Sequence, residues 1–79
     1  MGKSIYSKEY KDIIEKLKKA RIDARFTQVQ AALKLKKPQS YVSKIERGER
    51  RIDIVELKRI LKIYKTGLKE FWVFSFQSG

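Results

Sequence analysis

The side chains with the clearest chemical potential lie between residues 34 and 51, where amide, hydroxyl and basic groups are concentrated. Seven of these eighteen residues are Lys or Arg, and two are acidic. Basic groups bind phosphate oxygens, whereas amides and basic groups on a helix face can pair with base edges. By type, Gln39 suits an adenine edge, and Lys44 can reach O6 and N7 of guanine. The segment therefore indicates nucleic-acid recognition.

The chain lacks the groups that most enzymes need. It contains no His and no Cys, which removes the usual acid–base and nucleophilic side chains and most zinc sites. It has no Walker motif and no glycine-rich phosphate loop. The acidic residues are scattered, and Asp53 with Glu56 fits a helix capping box better than a catalytic pair. We therefore expect no enzymatic activity, no metal and no cofactor.

The overall charge indicates an anionic partner. Lys and Arg number 20 against 9 Asp and Glu, so the 79-residue chain carries a net charge of +11. That charge suits nucleic acid or an acidic membrane surface, and a simply basic soluble surface is the plainer alternative. No apolar run approaches the roughly 20 residues that span a bilayer, and the N-terminus lacks a signal-peptide core. The expected location is the cytoplasm, for a bacterial or phage-encoded protein, with no membrane partner.

Apolar spacing predicts two helices in the first half of the chain. The first runs from about Lys8 to Ala24, with Ser7 as N-cap and apolar residues recurring every three or four positions. The second begins after Thr27, which can form a capping box with Gln30. Its inward-facing residues are expected to be Val29, Ala32 and Leu33.

The next two helices would present and support the polar segment. Pro38 suits the first turn of a third helix, and Gly48 is its expected stop. Within that helix, Val42 and Ile45 should face the core, which leaves the opposite face exposed. That exposed face comprises Gln39, Ser40, Ser43, Lys44 and Arg47.

The C-terminal third is predicted to complete a single domain. Asp53 and Glu56 should cap a fourth helix that Gly67 closes, and a short fifth helix should run from Leu68 to about Val73. We expect one all-α domain over residues 4–73, followed by a short tail over residues 74–79.

The stretch FTQVQAALKLKKPQSYVSKIERGERR resembles the helix-turn-helix of the lambda-repressor, Cro and Xre family of transcription regulators. The shared features are Thr-Gln opening helix two, an Ala in its middle, Val and Ser in helix three, and a closing Glu-Arg-Gly. The likeness extends back to Arg21 and forward to Leu61. It implies a compact bundle of about five helices, similar to the lambda-repressor DNA-binding domain.

The resemblance also implies roles for individual residues. Gln39, Ser40 and Lys44 would face bases, with Ser43 nearby. Arg21 and Glu46 would form a buried structural ion pair. The residues expected at DNA phosphates or the sugar-phosphate backbone are Gln28, Lys37, Tyr41, Arg47 and Arg51. For Tyr41, packing on the core is an equal alternative.

Two positions depart from the family's usual pattern. Lys36 stands where a Gly is usual between helices two and three, and Arg25 stands where a Gly often ends helix one. A left-handed Lys costs about 1 kcal/mol. Both changes make the turns less favourable, but they add positive charge near the expected phosphates.

Two functions remain open at this point, along with a less favoured membrane-surface module. The first is a transcription regulator, more commonly a repressor, acting as a homodimer on a double-stranded operator. The second is the antitoxin of a toxin–antitoxin pair, with a toxin as partner. The dimer expectation rests on a cluster of large apolar residues near the C-terminus, although these could instead fold back onto the bundle. The proposed interface residues are Phe71, Trp72, Phe74 and Phe76.

Overall fold

The computed structural model describes residues 7–67 and 69–71, and this part of the chain is all-α without strands. Its helices are α1 (Lys8–Asp23), α2 (Gln28–Leu35), α3 (Gln39–Glu46) and α4 (Ile54–Ile63). Residues 69–71 are also helical and belong to a fifth helix, α5. The five-helix, all-α architecture expected from the sequence is confirmed.

Side-chain caps fix where three of the helices begin. The Ser7 hydroxyl accepts the Tyr10 N–H at 3.1 Å and starts α1. At α2 and α4, the capping boxes Thr27–Gln30 and Asp53–Glu56 are complete in both directions. For α3, Pro38 is the N-cap residue rather than part of the first turn, and it supplies no side-chain cap bond. Since each box satisfies two otherwise unpaired N–H groups, these caps set the register of α2 and α4.

One core holds the helices together. α2 packs closely against α3, and both also contact other helices of the bundle. Because Ala31 is fully buried and Ala32 nearly so, the α2 backbone can approach α3 closely. The buried apolar residues are Ile14, Leu17, Ala20, Ala31, Ala32, Leu35, Val42, Ile45, Leu57, Ile60, Leu61, Tyr64 and Phe71.

The predicted inward face of α2 was wrong at two of its three positions. Val29 is 50% exposed and Leu33 is 72% exposed, whereas Ala32 is buried as expected. The stripe that faces the core instead runs through Gln28, Ala31, Ala32 and Leu35. An eight-residue helix has room for one stripe at three- and four-residue spacing, and close packing against α3 favours the side with two alanines.

The chain reverses through left-handed residues at the exits of α1, α2, α3 and α4. Arg25, Lys36 and Lys65 have φ of 67°, 61° and 59°, and Gly48 has φ of 74°. The strained conformations expected at Arg25 and Lys36 are therefore present, and Gly48 follows α3 as expected. Bulky side chains in this region are disfavoured, so the packing on either side must enforce these turns.

The expected role of Gly67 was wrong. α4 ends at Ile63, and the left-handed Lys65 completes its exit. Gly67 instead precedes α5: its carbonyl accepts the Phe71 N–H at 2.9 Å, and its own N–H donates to Glu70 Oε1 at 3.4 Å. The turn thus uses Lys65 where the sequence suggested a glycine.

The C-terminal aromatic residues fall into two groups. Phe71, which the sequence analysis placed in a dimer interface, is only 4% exposed and belongs to the core. A side chain already packed among α-helices has little surface left for a partner. Trp72, Phe74 and Phe76 lie outside the described residues. None of the described helices is long and apolar enough to cross a membrane.

Candidate nucleic-acid interface

The face of α3 opposite the core is polar and accessible. Val42 and Ile45 anchor the helix in the core, with 3% and 2% exposure. On the other side Gln39, Ser40 and Lys44 are exposed, and Ser43 is half-buried. Lys44 forms no ion pair within the described residues, so its ammonium is available to an external acceptor.

A buried ion pair fixes the inner end of α3. Arg21 Nε donates to Glu46 Oε2 at 2.6 Å and Arg21 Nη2 donates to Glu46 Oε1 at 3.1 Å, with side chains 10% and 5% exposed. Arg21 Nη1 also donates to the Phe26 carbonyl at 2.7 Å. The bond to Glu46 raises the pKa of Arg21 above its ordinary value. These are the two residues for which the family resemblance implies a buried pair.

Hydrogen bonds through Gln28 on α2 connect the Glu46 carboxylate to the exposed face of α3. Gln28 Nε2 donates to Glu46 Oε1 at 3.0 Å, and Gln39 Nε2 donates to Gln28 Oε1 at 3.1 Å. We call the chain Arg21–Glu46–Gln28–Gln39 the Glu46 network. The Gln28 amide donates to Glu46 through its nitrogen and accepts from Gln39 through its oxygen. The orientation of the Gln39 amide is therefore linked, through Gln28, to the buried Glu46 carboxylate.

A second carboxylate lies at the start of α4. Glu56 Oε2 accepts the Tyr41 hydroxyl at 3.1 Å and Arg50 Nη2 at 2.9 Å, while Oε1 accepts the Asp53 N–H at 3.0 Å. The capping bond from Asp53, followed by the bonds from Arg50 and Tyr41, lowers the pKa of Glu56. Burial and the nearby Glu56 charge raise the pKa of Tyr41. We call the set Glu56, Tyr41 and Arg50 the Glu56 network.

Three basic side chains at the ends of α3 and in the segments that flank it have a defined neighbour. Lys37 Nζ lies 5.2 Å from the Tyr41 ring centroid, and Arg51 lies 5.5 Å from the Tyr10 ring centroid. Arg47 forms a two-bond pair with Glu49, through Nε and Nη2 at 3.1 Å each, and both side chains are more than half exposed. Exposed pairs of this kind are worth less than about 1 kcal/mol, so a phosphate can compete for Arg47.

The structure brings most of the predicted site residues together on α3 and its flanks. Gln28 and Gln39 are bonded to each other, and Lys37 lies beside Tyr41. Sequence reasoning missed Arg50 and the bonds from Glu56 to α3. The capping box explained Glu56 completely in sequence terms, so no pattern signalled that its second oxygen is used elsewhere.

Comparison with known proteins agrees with this geometry. A family model described as helix-turn-helix matches residues 17–71, which is more than half of the chain and includes both networks. No curated protein matches the chain. The matched segment begins within α1 and ends at the buried Phe71, so it contains nearly all of the core.

Proposed function

The chain belongs to the lambda-repressor-like, Xre-type helix-turn-helix family of DNA-binding regulatory domains, and we propose that it recognises a specific duplex site with α3 in the major groove. An α-helix fits the width of that groove, and residues on its exposed face reach base edges. The exposed polar face of α3, anchored from behind by Val42 and Ile45, has the required form.

The observation that carries this proposal is the orientation of Gln39. Its Nε2 uses one hydrogen for Gln28, which leaves the second hydrogen and the Oε1 acceptor of this exposed side chain for another partner. One donor and one acceptor on the same amide are what N7 and N6–H of adenine require. Gln39 is therefore proposed to read an adenine, with Lys44 reading guanine and Ser40 and Ser43 contributing hydroxyl contacts.

Phosphate contacts would hold α3 in register on the duplex. Gln28 has one N–H left after its bond to Glu46, and it lies half-buried at the start of α2. Helix N-termini favour anions, so this N–H and the first turn of α2 suit a phosphate. Lys37, Tyr41, Arg47 and Arg51 are the other proposed backbone contacts.

Titration of variants against a selected operator and a scrambled duplex tests these roles. Gln39→Ala and Lys44→Ala should each weaken operator binding by about 1–3 kcal/mol more than scrambled binding. Arg51→Ala should weaken both duplexes alike and lower the salt dependence. Equal losses on the two duplexes for Gln39→Ala and Lys44→Ala would remove the base-reading assignment.

We further propose that the protein is a repressor, acting in the cytoplasm as a homodimer. Two copies about one DNA turn apart would read the two halves of a pseudo-palindromic operator. With Phe71 assigned to the core, the proposed interface reduces to Trp72, Phe74 and Phe76 in the sequence that follows. Sedimentation with and without residues 72–79 tests it, and a monomer at every concentration, on and off DNA, would contradict it.

A further inference from the structure

Glu56 is a carboxylate placed in a surface that otherwise attracts anions. Its Oε1 satisfies the Asp53 N–H, which completes the capping box of α4. The second oxygen is not needed for that cap, and it accepts both the Tyr41 hydroxyl and Arg50 Nη2. The Glu56 side chain is 21% exposed and Arg50 is 43% exposed. A single carboxylate thus connects the start of α4 to α3 and to an arginine at the surface.

Arg50 is held on two sides. Its guanidinium carbon lies 4.9 Å from the Tyr41 ring centroid, and the bond to Glu56 fixes one terminal nitrogen. Tyr41 is itself fixed, since its ring lies beside the arginine while its hydroxyl donates to the same carboxylate oxygen. Because the Arg50 side chain is already restricted before a ligand binds, binding costs less side-chain conformational entropy.

The held guanidinium still has capacity for a ligand. An arginine carries five N–H donors in a planar fork, and the bond to Glu56 uses one of them. The planar fork matches phosphate oxygens, which makes arginine a favoured phosphate contact. Lys37 lies near the same tyrosine ring, so positive charge is concentrated around Tyr41.

From this arrangement we propose that Arg50 contacts a phosphodiester of the bound DNA and that Glu56 is the positioning residue that holds Arg50 in place. The inference rests on the proposed function, because it adds a contact to the same DNA interface. Glu56 itself touches no DNA and acts through Arg50.

The proposal predicts that removing the Glu56 carboxylate weakens DNA binding, whereas the change in net charge alone would strengthen it. DNA is a polyanion, so removing a carboxylate near it should strengthen binding by ordinary electrostatics. If Glu56 positions Arg50, its removal should weaken binding despite the gain in net positive charge. Glu49 is the control for charge: it also pairs with an exposed arginine near the exit of α3, but both side chains of that pair are more than half exposed, so the pair restrains its arginine only weakly.

The test compares Glu56→Gln, Glu49→Gln and Arg50→Gln for binding to operator and scrambled duplexes over a range of salt. Glutamine at position 56 keeps an oxygen for the cap but turns an NH₂ group, which cannot accept a bond, towards Arg50. Arg50→Gln should weaken both duplexes several-fold and reduce the slope of log K against log salt by about 0.9. Glu56→Gln should weaken both duplexes in the same way, whereas Glu49→Gln should bind as tightly as the parent or tighter.

A double-mutant cycle shows whether Glu56 acts through Arg50. In the Arg50→Gln background, Glu56→Gln should cause no further loss of affinity. Tyr41→Phe keeps the ring and the capping box and removes the bond to Glu56. Because Tyr41 is itself a proposed backbone contact, its loss supports the inference only if that loss disappears in the Arg50→Gln background. This variant keeps the inference testable if Glu56→Gln melts at a lower temperature.

The outcomes separate this inference from the proposed function. Tighter binding by Glu56→Gln, matching Glu49→Gln, would overturn the positioning role. An unchanged salt slope for Arg50→Gln would overturn the phosphate contact. A parent protein that fails to bind any duplex would overturn the DNA-binding proposal itself.

Discussion

The two carboxylates that support α3 differ in depth, and the difference separates stability from recognition. Glu46 is buried together with Arg21, and its network runs from the core through Gln28 to the proposed base-reading Gln39. Glu56 lies nearer the surface, and its network ends at Arg50, a proposed phosphate contact. A buried charge is costly to leave unpaired, whereas an exposed charge can be solvated when its partner is removed. The same chemical group should therefore be structural in one place and mainly a positioning group in the other.

The largest expected effect comes from Glu46→Ala. Its removal leaves Arg21, a residue that is only 8% exposed in the parent protein, without its counter-charge, although the bond to the Phe26 carbonyl remains. Loss of one partner of a buried pair costs about 3–5 kcal/mol. Chemical denaturation should show this decrease in the free energy of unfolding, while Glu49→Ala, at an exposed pair, should change it by less than about 1 kcal/mol. A Glu46→Ala protein as stable as its parent would remove the distinction between the two networks.

Much of the fold and one of the two networks could be predicted from the sequence, and the exceptions have physical causes. Polar caps at Ser7, Thr27 and Asp53 depend on local spacing, so short-range patterns predicted them. The core-facing side of α2 depends on how closely α3 approaches, which no local pattern contains, and Val29 was misplaced for that reason. Arg21 and Glu46 were paired through family resemblance rather than from spacing, because 25 residues separate them.

A smaller effect is expected from Tyr64, which lies in the core near the Glu46 network. Burial, followed by the negative charge of Glu46, raises the pKa of Tyr64 to about 12 from an ordinary value of 10.0. The folded state therefore keeps this proton after the unfolded chain has lost it. The contribution of this pKa difference to the free energy of unfolding is fully present below pH 10. It is lost as the pH rises towards 12, which lowers the free energy of unfolding by about 2 kcal/mol.

Denaturation of the parent and Tyr64→Phe across that range measures the difference. Phenylalanine keeps the ring that lies 6.2 Å from Phe26 but has no proton to lose. The parent should lose stability more steeply than the variant between pH 10 and pH 12. Parallel pH profiles would mean that Tyr64 titrates normally and that the surroundings of Glu46 are more hydrated than its burial indicates.

The smallest expected effect, that of Gln28→Ala, tests whether the Glu46 network contributes to sequence-specific binding. Gln28→Ala breaks the connection between Glu46 and Gln39 and also removes a proposed phosphate contact. The lost phosphate contact should weaken operator and scrambled duplexes equally, whereas the freed Gln39 amide should weaken the operator alone, by about 1 kcal/mol. In the Gln39→Ala background, Gln28→Ala should keep only the equal loss, since no adenine-reading amide remains to be oriented. If Gln28→Ala lowers both affinities by the same factor in both backgrounds, then Gln28 holds DNA as Arg50 does, and the buried network contributes stability without specificity.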